Sequence, residues 1–90
     1  MSNKLTDFET EILKSLRKHR DRNTAELFSM DEYHKNLDVD VPLIRFRERL
    51  TLLESDGYIK KISIAFGQKL GLYEIAPKGS KYLINLEQKR

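Results

Sequence analysis

Three arginines alternate along one short stretch, "LIRFRERL": Arg45, Arg47 and Arg49. A guanidinium presents a planar fork of donors that can pair with two acceptors at once, on a phosphate, a carboxylate or the edge of a guanine. Further along, Lys60, Lys61 and Lys69 place point charges in a segment without acid, since Tyr58 to Tyr73 holds three basic and no acidic residues. Gln68, beside Lys69, adds a neutral donor and acceptor. Cations in this density ask for a polyanion. Other chemistries have little to stand on. There is no cysteine, which removes disulfides, thiolate metal sites and thiol nucleophiles. His19 and His34 have no second ligand at coordination spacing, and His34 falls on an apolar helical face, where a packed core position is expected. The serines lack a nucleophile-elbow context and the glycines form no phosphate loop. Acidic residues fall at helix starts and on exposed faces. No enzyme activity, metal or cofactor is expected.

The elements that carry these side chains follow from apolar spacing. "LTDFETEILKSLRKHR" opens on Thr6 and Glu9, a capping box, and then repeats Phe8, Ile12, Leu13 and Leu16 as one helical stripe. "HRDRNTAEL" breaks the pattern and reads as a connector. Ser29 with Glu32 forms a second capping box, opening a short helix "MDEYHKNL". In "DVDVP" the expected N-cap is Asp40, with Pro42 in the first turn, where its missing N–H costs nothing. Leu43, Phe46, Leu50 and Leu53 then sit at i, i+3, i+7 and i+10 on a third helix, which Gly57 ends. With that stripe inward, Ile44, Glu48, Thr51 and Ser55 point outermost, Arg45 and Arg47 flank them, and Arg49 lies at the core boundary. The lesser alternative is that the arginines solvate the helix or pair with Glu48 and Glu54.

After Gly57, "YIKKISIAF", "GQKLG" and "LYEIA" read as a β-hairpin. Ile62, Ile64 and Phe66 are expected on one face and Lys61, Ser63 and Ala65 on the other, with a bulge after Ile59. The lysines suit phosphate or minor-groove contact, or protection of an exposed strand edge. Pro77 starts a last helix with Tyr82, Leu83 and Leu86 on one side, where Lys78 and Lys81 read as phosphate contacts or plain solvent charges. The class is α+β, mostly helical.

Ninety residues, 39% of them hydrophobic, make one small domain with one modest core, and domains of this size often gain stability by dimerising. The net charge of +3 is unevenly spread. Six basic and five acidic residues lie in Met1–Leu27, one and four in Phe28–Leu43, three and three in Ile44–Gly57, and four and two in Glu74–Arg90. No run of about 18 apolar residues is present, so no membrane span is expected. The polar, acidic start carries no signal-peptide core, and a soluble, cytoplasmic protein is expected.

"LTLLESDGYIKK" followed by "GLYEIAPKGSKYL" resembles the winged helix-turn-helix DNA-binding domains of MarR- and PadR-type transcriptional regulators. The matching positions are Leu50, Leu53, Glu54, Gly57, Tyr58, Ile59 and Lys61, then Tyr73, Ile75, Lys78 and Gly79. The resemblance covers about residues 28–84 by element order, and residues 50–83 by motif. It departs from the family at Ala76, where a capping hydroxyl is usual, at "DVDVP", where a glycine and a capping residue are usual, and at Gln68–Lys69, which replaces an aspartate–arginine pairing. The resemblance implies one winged-helix domain over residues 1–90, with three helices, a hairpin wing and a C-terminal helix. It implies a homodimeric, sequence-specific reader of double-stranded DNA. The recognition helix, about 42–56, would enter the major groove through Ile44, Arg45, Arg47, Glu48 and Arg49. The wing, about 59–76, would place Lys60, Lys61, Gln68 and Lys69 on backbone or minor groove. The first and last helices, with Leu5 and Ile84 exposed, are the expected dimer surfaces. The alternative is a winged helix that binds protein without DNA, favoured by Glu48 and the acidic second helix.

Overall fold

A computed structural model of the chain describes residues 5–22, 27–64 and 66–88. Within them four helices and one three-stranded antiparallel sheet alternate as α1 (Asp7–Asp21), β1 (Phe28–Ser29), α2 (Met30–Lys35), α3 (Leu43–Ser55), β2 (Ile59–Ser63), β3 (Leu72–Ile75) and α4 (Pro77–Gln88). The chain is therefore α+β and mostly helical. No described helix is long and apolar enough to cross a membrane.

The helix starts follow their capping chemistry unevenly. At α1 the box closes in both directions, because Glu9 N donates to Thr6 Oγ1 at 3.2 Å and Thr6 N donates to Glu9 Oε1 at 2.9 Å. Ser29 accepts from Glu32 N at 3.3 Å and caps α2. At α3 the expectation fails: Pro42, not Asp40, is the N-cap, and no side chain caps this helix. Proline's fixed φ suits an extended residue just outside the first turn as well as one inside it. The connector expected after residue 18 begins late, because α1 stays helical to Asp21; residues 23–26 lie outside the described residues.

The exit from α3 accounts for "SDGY". Gly57 takes φ +86°, its N–H donates to Glu54 O at 3.0 Å, and Tyr58 N donates to Leu53 O at 2.9 Å. This double bond pattern satisfies two of the helix's last carbonyls and turns the chain straight into β2. Phe46, Leu50 and Leu53 point inward from α3 and meet Ile12, Leu13 and Leu16 of α1, Met30, Ile59, Tyr73, Ile75 and Leu83 in one core.

Strand β3 is central, in the order β1-β3-β2. The short β1 was not legible in advance: Phe28 and Ser29 pair with Tyr73 and Leu72. The bulge is displaced from its expected place. Ile59, Lys60 and Lys61 pair in phase with Ile75, Glu74 and Tyr73, and the irregularity falls between Lys61 and Ser63, at Ile62. Lys61 is thereby on the face of Ile59 and Tyr73, and Lys60 on the other, across from Glu74. Ala65 lies outside the described residues.

Candidate nucleic-acid interface

Helix α3 presents its outer face much as its spacing requires. Ile44, Arg45, Arg47, Glu48, Arg49 and Thr51 are all exposed. The arginines, however, take different partners. Arg47 Nη2 donates to the Lys69 carbonyl at 3.4 Å, which brings the middle of α3 against the base of the hairpin turn. Arg49 leans the other way, its Nη1 lying 3.9 Å from Glu9 Oε2, so its charge is shared with the buried start of α1. No described ion pair joins an α3 arginine to Glu48 or Glu54.

The hairpin lysines divide by face. Lys61 Nζ sits 5.8 Å from the centre of the Tyr73 ring, at the edge of the inner sheet face. Burial, with Glu54 nearby as the lesser cause, pushes the Tyr73 hydroxyl up to about 12. Lys60 is exposed on the outer face opposite Glu74, an opposite-charge pairing of the kind that steadies antiparallel strands. Lys69 is exposed and Gln68 half-buried in the turn. The structure therefore brings Arg47 of α3 to Lys69 of the hairpin, leaves Arg45 exposed on α3 and Lys61 beside Tyr73, and sets Arg49 towards α1 and Lys60 on the outer sheet face.

What holds that turn in place was not anticipated. The Asp31 carboxylate, in the first turn of α2, accepts three backbone N–H groups: Lys69 at 2.7 Å on Oδ2, and Leu70 and Gly71 at 3.0 Å each on Oδ1. Burial pushes the Asp31 carboxyl up, but the three hydrogen bonds outweigh it and hold the group below its ordinary value. Gly71, at φ +105°, completes the joint, because a Cβ there would lie 2.9 Å from the Ser63 carbonyl. By local pattern Asp31 is one of several acids at helix starts. Only the 38-residue return of the chain shows its partner.

Lys78 is also reassigned. Its Nζ donates to the Asp56 carbonyl at 2.7 Å and lies 4.7 Å from the centre of the Tyr58 ring. It neutralises the C-terminal end of α3 and is not turned towards the cationic face. Elsewhere, His34 packs 5.0 Å from Phe46, centre to centre, with Nε2 2.6 Å from the Val41 carbonyl, the core role expected of it. Leu5 is not an exposed dimer candidate: it packs against the core, and its N–H donates to Tyr82 Oη at 3.1 Å. Ile84 does remain exposed. No group of acids and histidines among the described residues is arranged to hold a metal ion.

Comparison with protein-family models, with curated proteins and with solved structures finds no match to this chain.

Proposed function

We propose that this chain is a winged-helix module that binds double-stranded DNA, with α3 as the recognition helix and the β2–β3 hairpin as the wing. The observation that carries the reading is the junction of Arg47 with Lys69, which sets a cationic helix face and a cationic hairpin side by side. The order of helices and hairpin supports it, as does the absence of acid from Tyr58 to Tyr73. A helix with Arg45 and Arg47 flanking its outer face suits the major groove, and Lys61 and Lys69 suit phosphates beside it. As a regulator the protein would act as a homodimer, reading half-sites about 10–10.5 base pairs apart.

A second reading rests on a specific feature. The outer face of α3 also exposes Ile44 (65%) and Leu52 (51%) around Glu48, a surface suited to a protein partner.

One titration series separates the two readings. Duplex affinity measured by fluorescence anisotropy is expected to fall steeply with salt. The Lys61→Ala/Lys69→Ala protein is expected to lose affinity evenly across sequences, with its salt slope flattened by about two units. On a site selected from a random duplex library, alanine at whichever of Arg45 or Arg47 reaches a base is expected to cost roughly 1–3 kcal/mol and relax preference at one position. Lysine rescues such a site incompletely, because it lacks the fork. Salt-independent or undetectable duplex binding would transfer the function to the protein-binding reading.

A further inference from the structure

The hairpin carries more than charge. Ile62 and Ile64 are exposed, Ile64 by 54%, and Phe66 at the turn is fully exposed. A large aromatic with no cover is costly to leave in water. These three side chains stand among Lys60, Lys61 and Lys69, with no acid between Tyr58 and Tyr73. The turn that bears them is not left loose at its far side. Asp31 fixes three consecutive N–H groups from Lys69 to Gly71, and Arg47 holds the Lys69 carbonyl. An apolar tip on a clamped, cationic support is the layout of a side chain that is pushed into something.

We infer that Phe66, backed by Ile64, is a wedge that enters a base step of duplex DNA, partly unstacks it and bends the helix, while Lys61 and Lys69 hold the flanking phosphates. Apolar side chains inserted between base pairs kink DNA in this way, and pyrimidine–purine steps open most readily. This rests on the DNA reading above and adds that the protein deforms its target. An anionic lipid surface also offers charge outside and an apolar layer within. The duplex fits better because Glu48 shares the exposed face of α3: a flat anionic surface repels it, whereas a cytosine amino group in a groove donates to it.

The test needs no known operator. Ligase-catalysed circularisation of mixed-sequence duplex fragments of about 120 base pairs, shorter than the persistence length, reports bending directly. The wild-type protein is expected to raise the yield of circles about tenfold. Phe66→Ser is expected to return the yield to the protein-free level while its duplex affinity stays within about threefold, and Phe66→Leu to retain the bend. Because Phe66 touches no core residue, an unchanged melting temperature is expected for both variants. Wild-type protein that binds the fragment but leaves its circularisation unchanged overturns the wedge and leaves the DNA reading standing. The same holds if Phe66→Ser bends as wild type does. Failure of the wild type to bind duplex at all overturns both. Capture by phosphatidylserine vesicles that Phe66→Ser abolishes, without bending of DNA, also overturns the wedge and gives the tip to a membrane.

Discussion

Replacing Gly79 with alanine is expected to lower the melting temperature by roughly 12 °C or more, the equivalent of about 3 kcal/mol for a domain of this size. Helix propensity alone argues the opposite, since alanine gains about 0.8–1.0 kcal/mol over glycine inside a helix. The sign is decided by packing. A Cβ at Gly79 would collide with the Tyr58 carbonyl oxygen and lie 2.9 Å from Ile75 Cγ1. The Tyr58 carbonyl cannot swing aside freely, because it accepts from Ala76 N at 3.0 Å while Tyr58 N is held by the Leu53 carbonyl at 2.9 Å. Helix α4 would have to move off the sheet, taking Leu83 partly out of the core. Gly67→Ala is the control. Nothing lies within 4 Å of its Cβ, so only the cost of φ +85° remains, about 1–2 kcal/mol. Thermal unfolding followed by circular dichroism reads both, and a Gly79→Ala protein as stable as wild type would disprove the close seat of α4 on Tyr58.

Asp31→Ala is expected to cost roughly 2 kcal/mol and to free the hairpin turn, because three N–H groups lose a charged acceptor at once. The partial exposure of the site keeps the figure at that level, since water replaces some of what is lost. Asp31→Asn should fall between the two proteins. One oxygen can still serve Leu70 and Gly71, while an amide N–H₂ faces the Lys69 N–H. The linkage to pH has a definite sign. The folded carboxyl lies below its ordinary value, so its contribution is complete above about pH 4 and disappears as the pH falls through the lower folded value. Urea titrations between pH 5 and pH 2 should therefore show a steeper acid loss in wild type than in Asp31→Asn. Equal slopes would mean that the carboxylate does not hold the turn. On the DNA reading, Asp31→Ala also weakens duplex binding although the Asp31 carboxylate is taken up by the backbone of the turn, because the turn that presents Lys69 is then unanchored.

The Lys78–Gly79 pair shows how a motif can be visible before its reason is. In the sequence it marks a likeness, and its lysine suggests a phosphate contact. In the structure both residues serve one joint: Lys78 closes the end of α3 at Asp56, and Gly79 admits α4 onto Tyr58, just before β2. The helix that carries Arg45 and Arg47 is thus tied to α4 at its C-terminal end and to the hairpin through Arg47.

The sequence by itself determined what depends on neighbours a few residues away. Periodic leucines place the buried stripes of α1 and α3, because side chains three and four apart share a helix face. Thr6–Glu9 and Ser29 mark helix starts, and Gly57 marks a stop, because caps act within one turn. The hairpin and the exposure of Ile44, Arg45, Arg47 and Glu48 follow from the same short-range rules. Tertiary structure alone decided what depends on distant chain. The two-residue β1 exists because β3 is there to pair with it, since so short a segment has no stability of its own. Unbroken pairing from Ile59 to Lys61, with the bulge only at Ile62, put Lys61 and not Lys60 on the inner face, because a single-residue shift in a strand exchanges its two faces. Asp31, Lys78 and Arg49 each found a partner on another element, 38, 22 and 40 residues away, which no local pattern specifies.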